Sequence, residues 1–273
     1  QGAPRYRLMV ADVRKPGMTD WHEVVGEQDG VLQDVLFLPA DRMILTYSKD
    51  NCTEAWLYSV KGERLSRIEL PTFGSASFSG SRKQDECFFS FTSYTVPTTI
   101  YRFDPATGKS QVESQPKVNV RLNDYTTEMV FCTSKDGTKV PLFLTYRKGL
   151  KRNGKNPVML YGYGGFNICY PPSFSPMRIP FLENGGIYAY AALRGGGEYG
   201  ESWHLAGTKL QKQNVFDDFI SAAEWLISEK YTDSNHLAIY GGSNGGLLVG
   251  ACMTQRPDLY RVCIPAVGVM DML

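Results

Sequence analysis

Histidine is nearly absent from this sequence: 273 residues hold three of them, His22, His204 and His236. The six cysteines, Cys52, Cys87, Cys132, Cys169, Cys252 and Cys263, form no C-x-x-C pair and no metal-binding spacing, so no metal is expected and no disulfide framework organises the chain. They read as free thiols in a chain large enough to have a core, which points to a cytoplasmic protein. No apolar run approaches the roughly eighteen residues of a membrane helix, so no membrane is expected. Lys and Arg number 29 against 28 Asp and Glu, a net charge of +1 without basic patch or charged tail, and nucleic acid is not an expected partner. Nucleotide cofactors are excluded on similar grounds. Gly195-Gly196-Gly197 is not followed by the Lys-Ser or Lys-Thr of a phosphate loop, and Gly162-Tyr163-Gly164 is followed by Asn167 where a dinucleotide fingerprint needs its third glycine. No cofactor is expected.

Glycine is abundant, 27 residues, and its placement carries the chemistry. Gly241-Gly242-Ser243-Asn244-Gly245 has the spacing G-x-S-x-G, between the apolar strand Leu237-Ala238-Ile239-Tyr240 and a helix-like run from Leu247 to Thr254. Strand, turn and helix in that order form the nucleophile elbow of an α/β-hydrolase. So tight a turn strains the serine backbone, and a side chain two residues before or after it would collide with neighbouring backbone. Glycine at 241 and 245 avoids that collision. Ser243 is therefore the expected nucleophile, lifted clear of the sheet, with the N-terminus of the following helix aimed at the charge that develops on a substrate carbonyl oxygen.

An acyl hydrolase also needs two donors about 3 Å from that oxyanion. The backbone N–H of Asn244 is the first candidate. The second comes from Tyr161-Gly162-Tyr163-Gly164-Gly165-Phe166-Asn167, directly after the apolar strand Val158-Met159-Leu160, as a loop N–H or the Tyr163 hydroxyl. An acid and a histidine should follow the serine. After Ser243 the only acidic residues are Asp258, in an Arg-Pro-Asp turn, and Asp271, and there is no histidine. His236 begins the strand that leads to the elbow, roughly 20 Å away at about 3.3 Å per residue. His204 is expected on a surface connection, and His22 in another domain. Without a base a serine hydroxyl is a weak nucleophile, and these residues are expected to be inactive by themselves.

Residues 1 to about 115 carry a weak repeat. Met43-Ile44-Leu45-Thr46-Tyr47, Trp56-Leu57-Tyr58 and a turn at Lys61-Gly62 recur as Cys87-Phe88-Phe89-Ser90-Phe91, Ile100-Tyr101-Arg102 and a turn at Thr107-Gly108. An offset of roughly 43 to 46 residues is the period of a β-propeller blade. With Tyr6 to Val13 and Trp21 to Val25 as the outer half of a preceding blade, residues 1–115 hold about two and a half blades. Propellers close with about four to eight, so more blades are expected upstream. The absence of an initiator methionine before Gln1-Gly2-Ala3-Pro4 fits a chain that is a fragment cut at both ends. From 116 to 273 the pattern becomes α/β. A hairpin turns at Lys135-Asp136-Gly137 between Met129–Cys132 and Val140–Leu144. Strands at 157–161, 187–192, 236–240 and 262–266 alternate with helices, the clearest running from about Val215 to Glu229 with Asn214 as its N-cap. This predicts a parallel-sheet α/β-hydrolase domain, incomplete in its last strands and helices.

Several longer motifs resemble the prolyl oligopeptidase family: Tyr161 to Asn167, Arg194-Gly195-Gly196-Gly197-Glu198-Tyr199-Gly200-Glu201, Lys212-Gln213-Asn214 with Phe216-Asp217-Asp218-Phe219, Gly241 to Leu248, Gln255 to Leu259 and Val267 to Leu273. The resemblance is strong from 118 to 273 and looser before. It implies a cytoplasmic, cofactor-free serine peptidase, monomeric at full length, that cleaves short peptides after proline beneath a seven-bladed propeller. It also implies the roles: Ser243 as nucleophile, Tyr163 and the Asn244 amide as oxyanion donors, Phe166 and Val269 as walls of the proline pocket. An apolar slot suits a ring that lacks an N–H. The alternatives are an oligopeptidase B-like or esterase serine hydrolase, or a non-catalytic truncated product.

Overall fold

The computed structural model describes residues 2–271; Gln1, Met272 and Leu273, at the ends of motifs read above, lie outside the described residues. The chain forms two units. One runs to Val118 and takes in Pro171–Phe174 and Glu198–Gly200; the other holds Asn119–Tyr170, Ser175–Gly197 and the chain from Glu201 onward.

The first unit is built of antiparallel meanders. β1 (Leu8–Val10) pairs with β2 (His22–Val25), and two four-stranded sheets follow. The strands β3 (Val31–Leu38), β4 (Arg42–Lys49), β5 (Cys52–Ser59) and β6 (Arg64–Ile68) lie in chain order, as do β7 (Ser75–Ser81), β8 (Gln84–Thr92), β9 (Thr99–Asp104) and β10 (Lys109–Ser114). The repeat read in the sequence is thus β4 and β5 recurring as β8 and β9. Asp50 and Asn51, both at positive φ, make the two-residue turn between β4 and β5 that matches strand twist. Met43 to Tyr47 are all buried because β4 packs on both faces. Ile44 joins Leu57, Phe78, Phe89, Phe91 and Phe103 in one cluster, while Met43, Leu45, Tyr47 and Tyr58 join Val25 in another. Consecutive meanders packed face to face are blades of a β-propeller, not the Greek-key strands of a sandwich.

The second unit is a six-stranded sheet in the order β11-β12-β14-β13-β15-β16. β11 (Tyr125–Thr133) and β12 (Lys139–Arg147) form the expected hairpin, with Met129 opposite Phe143 and Cys132 opposite Val140. β12 runs antiparallel to β14 (Ile187–Ala191); β14, β13 (Val158–Gly162), β15 (Leu237–Gly242) and β16 (Val262–Ala266) are mutually parallel. From β13 the chain moves to β14 on one side and then returns to β15 on the other. The strand order therefore reverses at the carboxyl ends of β13 and β15, where open α/β sheets bind their ligands. The helices are α1 (Ile179–Glu183), α2 (Glu201–Leu205), α3 (Gln213–Ser228) and α4 (Asn244–Gln255). Val215, Phe219, Ala222 and Leu226 of α3 and Leu248, Val249 and Cys252 of α4 complete a core with the buried faces of β12 to β15. No helix among the described residues is long and apolar enough to cross a membrane.

Asn214 is not the N-cap of α3. The chain enters α3 from a 3-10 turn at Lys209–Gln211 with Lys212 already helical, so no extended capping residue precedes the helix, and the Asn214 amide donates to Ala206 O at 2.9 Å instead.

Arg194, beyond the end of β14 after Ala192 and Leu193, is buried against a fully buried Asp218 on α3, its Nε 3.0 Å from Oδ2 and its Nη2 2.6 Å from Oδ1. Its Nη1 reaches Asp136 at the β11–β12 turn. Removing one partner of a buried ion pair leaves an uncompensated charge. Asp218→Ala should therefore lower the stability of the second unit by about 3–5 kcal/mol, read by urea unfolding. The Arg194 hydrogen bond holds the carboxyl of Asp136 down at about 2. A carboxyl depressed on folding stabilises above its unfolded value and loses that contribution as pH falls toward the folded one. Asp136→Asn, at this half-exposed position, should cost little but measurably at neutral pH, and its deficit should vanish between about pH 4 and pH 2. A deficit that persists at pH 2 would show that geometry rather than charge is lost.

Candidate active site

Ser243 sits at φ 56° and ψ −118°, a region that only glycine enters freely, and its side chain is exposed while Asn244, Gly245 and Gly246 beside it are buried. The turn exists because neighbouring Cβ atoms are missing. A Cβ on Gly241 would stand 2.2 Å from Gly245 O, and one on Gly246 would stand 2.5 Å from Gly268 Cα. The first clash is the one the sequence predicts; the second, with the chain after β16, was not foreseen. The Ser243 N–H donates to Ala266 O at 3.0 Å, pinning the elbow to the end of β16. Gly246 N–H and Leu247 N–H both turn back to Ser243 O, at 2.8 and 3.2 Å. Among the described residues the Asn244 N–H has no backbone acceptor, and it stands at the positive end of α4.

The glycine loop leaves β13 beside it. β13 and β15 pair in parallel with Tyr161 opposite Tyr240, so Tyr163 and Ser243 emerge from neighbouring strands at one edge of the sheet. Tyr163 is buried, its ring edge-on to Tyr170 at 5.1 Å, and its carbonyl accepts from Asn244 Nδ2 at 2.6 Å. Phe166 is 71% exposed at φ 56°, an unusual conformation for a bulky residue. Val269, 48% exposed, lies in the segment after β16, at the same edge. The five residues singled out in the sequence thus follow three adjacent parallel strands, β13, β15 and β16.

Among the described residues no hydrogen bond joins a histidine to Ser243. His236 Nδ1 lies 2.6 Å from Asp233 Oδ1 at the opposite end of β15. His22 belongs to the first unit. His204 is in α2, half-buried, where a plain surface connection was expected, and its Nδ1 lies 2.8 Å from Gly195 O and 3.1 Å from the Asn167 N–H. It ties the loop after Phe166 to the turn at Gly195. Asp258 is bound to Arg256, which holds its carboxyl below the usual range. Asp271 is exposed.

Sequence reasoning missed Lys212, although it recognised the motif Lys212-Gln213-Asn214. Its Nζ donates to Gly164 O at 2.7 Å and to Asn244 Oδ1 at 3.3 Å. Burial pushes this ammonium down to about 8.

The sequence matches the model of the Prolyl oligopeptidase family over residues 172–273 and that of the Prolyl oligopeptidase N-terminal beta-propeller domain over residues 1–116. The chain belongs to the prolyl oligopeptidase family. It is 46% identical over 272 residues to the prolyl endopeptidase of Elizabethkingia meningoseptica and 43% identical over 258 residues to that of Dictyostelium discoideum, covering 99% and 93% of this chain. These matches span 38% and 34% of the relatives' own length. Among solved structures, one from a mechanistic analysis of two prolyl endopeptidases superposes with a TM-score of 0.92 at 48% identity, over 95% of this chain and 39% of that one. Prolyl oligopeptidase B from Galerina marginata, bound to a 35mer hydrolysis and macrocyclization substrate, superposes with a TM-score of 0.94 at 35% identity, over 99% of this chain and 39% of that one.

A strained non-glycine backbone carries a cost of about 1–3 kcal/mol, which glycine relieves. Ser243→Gly should therefore raise the urea midpoint of the second unit, while Ser243→Ala should not. Equal effects of the two substitutions would mean that the elbow is not strained.

Proposed function

We propose that this chain is the nucleophile-bearing part of a serine endopeptidase that cleaves short peptides on the carboxyl side of proline. The observation that carries this is the exposed, strained Ser243 at the N-terminus of α4, at the carboxyl ends of the parallel strands. Ser243 Oγ attacks the carbonyl carbon of the proline residue and gives up its proton to a base. The oxyanion of the tetrahedral intermediate accepts from the Tyr163 hydroxyl and the Asn244 N–H. The intermediate collapses as the C–N bond breaks and the leaving amine takes the proton. Water then attacks the acyl-enzyme by the same route, releasing the carboxylate and Ser243.

Phe166 and Val269 receive the proline ring. Both are exposed and apolar, which supports a pocket wall over a core role. The name prolyl endopeptidase carried by relatives at 46% and 43% identity supports proline over a basic residue at this position. Residues 1–115 form the propeller portion and 116–273 the peptidase portion, and the whole protein acts as a cytoplasmic monomer. The base and its orienting acid come from outside these 273 residues. In support, His204 and His236 are engaged elsewhere, and the matched relatives are more than twice as long.

Labelling native extract with a fluorophosphonate and weighing the protein whose labelled peptide contains Ser243 tests this. A labelled species much larger than 30.5 kDa that hydrolyses proline substrates faster than arginine or ester substrates is expected. The isolated 273-residue chain should label at least a thousandfold more slowly. Rapid labelling at 30.5 kDa would overturn the assignment of the base, and a preference for arginine or esters would overturn the substrate class.

A further inference from the structure

We infer that Lys212 is a positioning residue for the oxyanion-binding groups, its ammonium gripping the loop after β13 and the first residue of α4 at once. The inference rests on the reading of Ser243 as nucleophile with Tyr163 and the Asn244 N–H as donors. Three hydrogen bonds close a ring. Lys212 Nζ donates to Gly164 O at 2.7 Å and to Asn244 Oδ1 at 3.3 Å, and Asn244 Nδ2 donates to Tyr163 O at 2.6 Å. Tyr163 and Gly164 are consecutive, so the ring locks the residue that carries one oxyanion donor to the residue that carries the other.

The residue types are those the ring requires. An ammonium offers three donors and no acceptor from a single, freely rotating atom. Asn244 has both an acceptor and a donor on one planar amide, so its Oδ1 accepts a hydrogen bond from Lys212 and its Nδ2 donates one to Tyr163 O. The charge polarises that amide and strengthens its donation. Gly165 makes the room: a Cβ there would stand 2.5 Å from Asn244 Nδ2.

Packing alone does not account for the lysine. The Phe216 ring, 5.9 Å from Nζ, would be served as well by methionine, which carries no desolvation cost. The acceptors are neutral oxygens, and among the described residues no carboxylate pairs with this buried charge as Asp218 does with Arg194. The ammonium holds the residues whose Tyr163 hydroxyl and Asn244 N–H serve as the oxyanion donors, and Lys212 itself donates to neither of the reacting groups.

The test uses the full polypeptide that carries these residues, with active sites counted by fluorophosphonate titration. Lys212→Met should lower kcat per titrated site at least tenfold on a proline peptide while KM stays within about twofold. Asn244→Ala, which opens the same ring, should do likewise, and the double variant should be little worse than the worse single one. A lysine needed only for folding would lower the titratable fraction and the thermal midpoint but leave kcat per site unchanged, and that result overturns the inference. So would two single losses that multiply in the double variant. Should Lys212→Met not fold, Lys212→Gln, which keeps one donating amide without the charge, carries the same comparison. Activity surviving in Ser243→Ala would remove the reading of the site itself, and with it this inference; loss in Ser243→Ala with an unaffected Lys212→Met removes the inference alone.

Discussion

The backbone of Ser243 is the constraint on which the second unit depends. Holding a serine at φ 56° and ψ −118° costs about 1–3 kcal/mol, and such strain persists only where the surroundings over-determine it. Here they do so from three directions. β15 arrives with Leu237 and Ile239 fully buried, α4 leaves with Leu248, Val249 and Cys252 fully buried, and the end of β16 takes the Ser243 N–H. The packed elements cannot shift to relax the turn without opening the core, so the hydroxyl stays exposed at the helix N-terminus.

Two cations stand behind the site, and the protein treats them differently. Arg194 meets carboxylates at Asp218 and Asp136, a forked pairing that its planar guanidinium suits, and it fastens the end of β14 to α3 and to the β11–β12 turn. Among the described residues Lys212 donates to neutral oxygens, and burial brings it down to about 8. Compensated charge serves the frame. The less compensated one lies against the loop and the elbow, where a point charge with free donors does what a fixed fork could not.

Much of this was legible in the sequence. The elbow was, because its constraint is local: strand, glycine, serine, glycine and helix follow one another. The blades were legible at β4 and β8 because the middle strands of a blade are buried on one or both faces and must be apolar there, whereas the six residues of β10 are all exposed and carry no repeat. What could not be read was whatever joins distant positions. The ring from Lys212 to Gly164 and Asn244 crosses 48 and 32 residues, and nothing in the local pattern distinguishes Lys212 from a solvated lysine. Asn214 misled for a related reason. Its type fits a cap, but a preceding 3-10 turn had already set the helix, and its amide was engaged by Ala206. His204 looked like a surface residue because Gly195 and Asn167, which it joins, are brought to it by the fold.

The sheet divides the site into a rigid part and a peripheral one. Tyr163 follows directly on β13 and Asn244 opens α4 with one residue, Ser243, between it and β15; the two strands are in parallel register, and both residues are buried and cross-linked. Phe166 and Val269 lie farther along their loops, exposed. Under the proposed function, strand pairing sets the spacing of the two donors, while the apolar walls sit on loops where a change of side chain disturbs neither core nor elbow. On that proposed reading, reaction class belongs to the sheet, and preference for the residue beside the scissile bond belongs to the loops.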